Sequence, residues 1–101
     1  MQLRISGHQF SITESLHQYV TRKLSKLPTY CEGIVSIQVT LSVNKQRHKA
    51  EAVLHMRSAE IAASAEDDDM YKGIDVLADR LHKQLVKQKE KTVNRSQGSG
   101  S

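Results

Sequence analysis

The sequence IVSIQVTLSV at residues 34–43 alternates apolar with polar side chains more regularly than any other stretch of the chain. A period of two predicts a β-strand that is buried on one face and solvated on the other. The side chains expected to face inward are Val35, Ile37, Val39, Leu41 and Val43. This strand needs partner strands and an apolar layer to cover it, so the flanking segments decide the fold.

Further strands are predicted on both sides of this one. Residues 49–57 alternate again after a polar connection at 44–48, which is the pattern of a β-hairpin. Residues 61–65 predict a short strand after the hairpin, and residues 1–6 predict a first strand that ends at Gly7. Each of these segments has one apolar and one polar side, so all four can form one sheet with a single buried face.

A first helix is predicted over residues 14–27, where apolar residues recur at three- and four-residue spacing. Its start has suitable capping residues, because Thr13 can accept from the free amides, or Ser11 can pair with Glu14 in a capping box. The helix lies between the first two strands along the chain. We therefore expect those strands to be parallel and joined by a right-handed crossover.

A second, longer helix is predicted over residues 70–91, with Asp68 or Asp69 as its N-cap. Its apolar positions fall on one face, so both helices must cover the same side of the sheet. The predicted fold is an α+β two-layer sandwich in the order β-α-β-β-β-α, with two helices on one face of a four-stranded mixed sheet. Residues 1–91 form one domain, and residues 92–101 are expected to be a disordered polar tail.

Composition limits the class of protein. The chain has 101 residues, of which 38% are hydrophobic and 26% charged, as in an ordinary single globular domain. No apolar run reaches the roughly 18 residues of a membrane span, and the N-terminus lacks a secretory pattern. We expect a soluble, cytoplasmic protein that does not associate with membranes.

The distribution of charge points to an anionic partner. Lys and Arg number 15 against 11 acids, a formal net charge of +4. At about 100° per residue, four bases of the second helix form a stripe less than a quarter of the circumference wide, beside a cluster in the first helix. Like charges on one face repel slightly, so their segregation favours a phosphate backbone as the partner. The bases are Arg80, Lys83, Lys87 and Lys91 in the stripe, and Arg22, Lys23 and Lys26 in the cluster.

Two adjacent helices could thus present one basic surface, with acids of the second helix on its far flank. The few aromatic residues are Phe10, Tyr19, Tyr30 and Tyr71, none of them on the predicted polar sheet face. A base-stacking sheet platform is therefore excluded, and helix-borne bases that contact phosphates predict binding to structured RNA with weak sequence readout.

Other candidate sites are weaker. The acids at 66–69 could bind a divalent cation, but acids before a helix more commonly cap it. Cys31 could be a nucleophile, but no local motif surrounds it and the histidines are scattered along the chain. His48 and His55 fall on opposite faces of one strand and cannot share a metal. We predict no catalytic residue, no metal site and no cofactor.

Three stretches resemble one known family, the short-form ribosome hibernation promoting factors of the ribosome-associated sigma-54 modulation protein family. They are MQLRISG (1–7), ITESLHQYVTRKLSKL (12–27) and ASAEDDDMYKGIDVLADRLHKQLVKQK (63–89). The resemblance implies a β-α-β-β-β-α fold similar to double-stranded-RNA-binding domains. Lys72-Gly73 departs from the two small residues often found after the Met-Tyr of the family, and glycine there weakens the first helical turn by about 1 kcal/mol.

The resemblance implies binding to the small ribosomal subunit and its rRNA in stationary phase or stress. Family members lie in the channel between head and body, over the positions of mRNA and tRNA, so that translation stops and ribosomes are stored as inactive dimers. The RNA-contacting bases implied by position are Arg22, Lys23, Lys26, Arg80, Lys83, Lys87, Lys89 and Lys91.

Two alternatives remain open at this point. The first is a protein Y-like inhibitor of the same fold, which opposes dimerisation through a longer C-terminal tail, whereas only about ten polar residues follow Lys91. The second is a general structured-RNA chaperone. For the hibernation factor, we expect a monomer when free, with ribosome modulation factor as the separate partner that joins two ribosomes.

Overall fold

Four strands form one mixed sheet in the order β1-β2-β3-β4. The strands are β1 (Gln2–His8), β2 (Ile34–Asn44), β3 (Arg47–Met56) and β4 (Glu60–Asp67), and the helices are α1 (Glu14–Leu24) and α2 (Met70–Ser99). This computed structural model describes the backbone of residues 2–29 and 33–99 and the side chains of residues 2–28 and 33–88. The predicted α+β architecture and its β-α-β-β-β-α order are confirmed.

β1 and β2 are parallel, whereas β2, β3 and β4 pair antiparallel. The parallel pairing was expected, because the chain must cross over the sheet through α1 to bring the second strand beside the first. The result is a sheet with β1 and β4 at its two edges.

The core lies between the sheet and the two helices. α2 packs over β3 and β4, while α1 packs against β1 and α2, so both helices cover one face. Burying a leucine contributes about 1.5–3 kcal/mol, and several leucines from both layers are fully buried. The largest buried side chains are Leu24, Ile37, Leu41, Leu54, Ile74, Leu77, Leu81, Leu85, Val20 and Val39.

Val35 is the exception to the predicted pattern of β2. It is 52% exposed, whereas Ile34 packs against the core. Ile34 pairs with Met56 and Ser36 pairs with His55, so one extra residue stands opposite the partner strand. This β-bulge reverses the alternation at its site, and the prediction that Val35 faces inward is wrong.

The predicted end of the first strand at Gly7 is also wrong, since Gly7 pairs with Leu41 and the strand continues to His8. The glycine is needed for a different reason. A Cβ atom on Gly7 would overlap the backbone carbonyl of Phe10, which folds back over the strand. Residue 7 must therefore lack a side chain, so that the backbone at Phe10 can pass close to the strand as the chain turns toward α1.

α1 begins and ends close to the predicted residues. The Thr13 hydroxyl accepts from the Leu16 amide at 3.2 Å, so Thr13 is the N-cap and the capping box is not needed. The helix ends at Leu24, and Leu27–Thr29 form a 3-10 turn rather than a last α-helical turn. Pro28 explains the difference, because a proline disfavours α-helical geometry at the preceding residue.

α2 begins as predicted and ends later. The Asp69 carboxylate accepts from the Tyr71 amide at 2.9 Å, which makes Asp69 the N-cap. The helical backbone continues to Ser99, so the predicted helix end near Lys91 is wrong. No proline interrupts residues 92–99, and extending an existing helix costs little compared with starting one. Residues 100–101 lie outside the described chain.

Within the described residues, neither helix combines the length and the apolar character required to span a bilayer.

Candidate nucleic-acid interface

Three of the predicted RNA-contacting bases lie in or just after α1. The Arg22 guanidinium is 5.1 Å from the centroid of the Tyr19 ring, within the range of a cation–π contact. The Lys23 ammonium lies 5.5 Å from the same centroid. Lys26 is exposed in the turn that follows the helix, one position beyond its C-cap. Arg22 and Lys23 thus both lie against the Tyr19 ring, whereas Lys26 follows the helix.

The α2 bases differ from one another in their contacts. Arg80 Nη1 donates to the backbone carbonyl of Ser64 in β4 at 2.5 Å. Lys83 Nζ lies 3.1 Å from Asp79 Oδ2, an exposed pair one helical turn apart. Lys87 is exposed and makes no ion pair or hydrogen bond with the described side chains. Lys89 and Lys91 belong to the helix, but their side chains lie outside the described set.

Gln84 repeats the contact of Arg80 one turn later. Its Nε2 donates to the Ala62 carbonyl at 2.9 Å, so two side chains of α2 reach the same strand. β4 is an edge strand of the sheet, and no strand of the described residues pairs with its outward-facing backbone groups. Arg80 therefore marks the flank of α2 that faces the β4 edge, opposite to α1.

A polar cluster joins the two helices on the other flank of α2. The Tyr19 hydroxyl donates to Asp75 Oδ1 at 2.5 Å, and Lys23 Nζ lies 3.3 Å from the same oxygen. The Tyr19 and Tyr71 rings meet edge to face, with centroids 5.0 Å apart. The hydrogen bond to Asp75, followed by desolvation and the charge of Asp75, raises the pKa of the Tyr19 phenol. Asp75 thus anchors α1 to α2.

The carboxylates of α2 lie between its own bases and those of α1. From Asp75, each step of four residues turns the helix by about 40°, so Asp79, Lys83 and Lys87 follow in order away from α1. The sequence predicted that the acids of α2 lie on the far flank of the basic surface, and this is wrong for Asp75, which contacts Lys23 and Tyr19 of α1. The Asp79–Lys83 pair could have been found from the sequence, because an acid and a base four residues apart associate on a helix.

The acids at 66–69 serve the start of α2 and the neighbouring strand. Asp67 accepts from the Asp69 amide at 3.0 Å, and Asp69 caps the helix. Arg47 lies 3.1 Å from Asp68 and 3.8 Å from Glu66. The contacts of Asp67 and Asp69 show that these acids cap the helix, which is the role that the sequence favoured over cation binding. Among the described residues, no group of three potential ligands could hold a metal ion.

The remaining candidates are placed as follows. His48 and His55 belong to opposite faces of β3, as predicted, because they are an odd number of positions apart. Phe10 packs against the core, and Tyr19 and Tyr71 lie between the helices, so these aromatics are away from the open sheet face. Cys31 and Tyr30 lie outside the described residues.

Comparison with known proteins gives consistent results at the levels of sequence and structure. The chain is 49% identical over 98 residues to the ribosome hibernation promoting factor of Azotobacter vinelandii, covering 97% of this chain and 92% of that protein. A ribosomal subunit interface protein from Coxiella burnetii superposes with a TM-score of 0.85 at 30% identity, covering 89% of this chain and 99% of the other. The N-terminal domain of Thermus thermophilus Protein Y superposes with a TM-score of 0.78 at 30% identity, covering 84% and 96%.

The family described as sigma 54 modulation protein / S30EA ribosomal protein matches residues 3–93, which include β1 except its first residue, all of β2, β3, β4 and α1, and most of α2. That range also contains the bases and carboxylates of the helical surface described above. With this match and 49% identity to a relative that is covered over 92% of its length, the chain belongs to the sigma 54 modulation protein / S30EA ribosomal protein family.

Proposed function

We propose that this chain is a ribosome hibernation factor that binds the small ribosomal subunit and stops translation. The coarse role is supported by its family and by relatives named ribosome hibernation promoting factor. The finer proposal is that it occupies the mRNA and tRNA channel through contacts with rRNA phosphates. The role is one of binding rather than catalysis, and it is carried out in the cytoplasm.

The observation that carries the proposal is the exposure of bases on the outer surface of both helices. Lys83 and Lys87 are exposed, and they are not needed to fill the core. Lys87 in particular has no counter-charge among the described side chains, so its ammonium is available to an external anion. Helix-borne lysines of this kind contact phosphates and position a protein on RNA. The bases proposed to do so are Arg22, Lys23, Lys26, Arg80, Lys83, Lys87, Lys89 and Lys91.

A sedimentation experiment tests the proposed site. The purified protein is mixed with small ribosomal subunits and should comigrate with them on a sucrose gradient. Adding mRNA together with tRNA should release the protein, because the three ligands would compete for one channel. Comigration that survives a saturating excess of mRNA and tRNA would contradict the channel placement, and absence of comigration would contradict ribosome binding.

The proposal extends to the storage of ribosomes as inactive dimers. We propose that residues 1–91 form the binding domain, that the free protein is a monomer, and that ribosome modulation factor is needed to join two ribosomes. Ribosomes mixed with this protein alone should then remain single on a gradient, and should shift to dimers when the modulation factor is added. Efficient dimerisation by this protein alone would contradict the requirement for a partner.

A second candidate function is that of a protein Y-like inhibitor that keeps inactive ribosomes single. The structural similarity to the Thermus thermophilus Protein Y domain favours it. The same gradient distinguishes the two functions. A hibernation promoting factor should support dimer formation when the modulation factor is present, whereas a protein Y-like inhibitor should prevent it.

A further inference from the structure

Asp75 and Asp79 of α2 are two carboxylates one helical turn apart on the helical surface, here called the acidic seam. Asp75 is bound by the Lys23 ammonium and the Tyr19 hydroxyl of α1. Asp79 follows one turn later and lies 3.1 Å from the Lys83 ammonium. The side chains of Asp75 and Asp79 are 47% and 57% exposed, so a ligand on this surface would meet both carboxylates.

The acidic seam divides the bases into two groups. On its α1 side lie Arg22, Lys23 and Lys26. On its other side lie Lys83 and Lys87, and Arg80 follows at the flank where it reaches β4. Each group can bind phosphates by itself, but a line drawn from one group to the other crosses the two carboxylates.

This division matters for the shape of RNA that the surface can bind. A single flexible strand has two ways to bind, and both lose favourable contacts. If it crosses the seam, its phosphates approach carboxylates of the same charge. If it avoids the seam, it contacts only one group of bases and releases fewer counterions. A folded RNA can instead place a different backbone segment on each group and leave the seam uncovered.

We infer that the acidic seam is a selectivity element that disfavours single-stranded RNA and admits folded RNA with two separated phosphate lines. The inference deepens the proposed function and rests on it, because the favoured ligand is the rRNA of the small subunit. Asp75 and Asp79 determine specificity by repulsion, as like charges placed against a wrong partner do in other interfaces. The physiological competitor that they exclude is unstructured RNA.

Neutralising the seam tests the inference. The variants are Asp75→Asn, Asp79→Asn and the double substitution, because an asparagine oxygen can still accept from Tyr19 and Lys23. Binding of an oligo-uridine strand is measured by fluorescence anisotropy, and binding of small subunits by cosedimentation, at one fixed ionic strength. Oligo-uridine affinity should rise about fivefold for each carboxylate removed, the factor for one like-charge contact in water. Small-subunit affinity should change by less than about threefold.

Glu60→Gln provides the matched control. It changes the net charge by the same amount but lies on the open sheet face, where Glu60 pairs with His55 at 3.2 Å. The control should leave oligo-uridine affinity within about twofold of the original chain, because an exposed charge on the far side is screened. Thermal melting of every variant checks that the fold is retained.

Three results would overturn the inference. They are an unchanged affinity for oligo-uridine in the seam variants, an equal gain from Glu60→Gln, and an equal gain for small subunits and oligo-uridine. Failure of the proposed function would give a different result, because the unsubstituted protein would then not cosediment with small subunits at all. In that case the oligo-uridine measurement still decides whether the seam repels single-stranded RNA.

Discussion

Arg80 and Ser64 are joined by a hydrogen bond from the guanidinium to the backbone carbonyl of an edge strand, at 2.5 Å. A guanidinium carries five N–H donors, so this bond leaves others available to a phosphate. The bond also fixes the side of α2 on which Arg80 lies. Arg80 therefore has a contact with the sheet that Lys83 and Lys87 do not have among the described residues, and the tests of RNA binding are best made on the two lysines.

Reversing the charge of Lys83 and Lys87 should weaken small-subunit binding without unfolding the protein. Each Lys→Glu change replaces an attraction to phosphate by a repulsion, so the double variant should lose about 100-fold or more in affinity. The melting temperature should change little, because both side chains are exposed and the Lys83–Asp79 pair is worth about 0.5 kcal/mol or less. Cosedimentation and thermal melting measure the two effects.

The control for this pair is Arg4→Glu with Lys45→Glu, which changes the net charge equally. Arg4 lies in β1 and Lys45 in the β2–β3 turn, both exposed and away from the helices. The control should bind nearly normally, and binding of the original chain should weaken with salt by a slope of about −0.7 to −0.9 per phosphate contacted. Equal losses in the two double variants would assign the effect to net charge alone.

Leu41→Asp should unfold the domain, whereas Thr40→Asp should be tolerated. Leu41 is fully buried in β2, and an unpaired buried carboxylate costs several kcal/mol out of a total stability of about 5–15 kcal/mol. Thr40 points to the open face opposite Glu51, where a second acid costs at most about 1 kcal/mol. Circular dichroism melts compare the two, and equal stability would contradict the observed register.

Removing the cap of α2 should destabilise the fold by about 1 kcal/mol. Asp69→Ala deletes the acceptor of the Tyr71 amide, which then has no partner within the helix. Asp68→Ala is the neighbouring control, because it removes only an exposed pair with Arg47, worth about 0.5 kcal/mol or less. Urea denaturation measures both, and a larger loss in Asp68→Ala would show that the cap is misassigned.

The Tyr19–Asp75 hydrogen bond predicts a stability change at alkaline pH. Folding raises the pKa of Tyr19 above its ordinary value of 10.0, mainly through the hydrogen bond to Asp75. The neutral phenol is therefore stabilised, and its contribution is complete below about pH 10 and lost as the pH rises through the folded pKa.

Tyr19→Phe removes this contribution and supplies the comparison. The difference in unfolding free energy between the original chain and the variant should be constant from about pH 7 to 9 and should shrink above pH 10. Lys49, whose pKa is raised by its hydrogen bond to Glu51, titrates in both proteins and cancels. Urea melts at several pH values provide the measurement. A difference that grows with alkaline pH would contradict the direction of the shift.

Most of the fold could be predicted because its determinants are local. The alternation from Ile37 to Val43 and the spacing of Leu77, Leu81 and Leu85 each report a buried face directly. Val35 could not be predicted, because a β-bulge depends on the register with β3 and leaves the alternation of the sequence unchanged. The end of α2 was missed for a related reason, since the polar composition after Lys91 does not itself stop a helix.

The candidate site could be predicted less completely. The positions of the bases follow from helical geometry, but their partners depend on packing between distant segments. Tyr19 and Asp75 are 56 residues apart, and nothing in either local sequence relates them. The contact of Arg80 with Ser64 likewise requires knowing that β4 is an edge strand and that α2 lies along it.

The β-bulge at Val35 is a position where β2 can lose one residue without disturbing the rest of the sheet. Ile34 and Ser36 already pair with the adjacent residues Met56 and His55, so deletion of Val35 would join them into a regular ladder. Every later residue of β2 would keep its partner and its face. A relative shorter by one residue at this point could therefore share the same core, and an alignment that moves the gap further into β2 would place its polar residues inside.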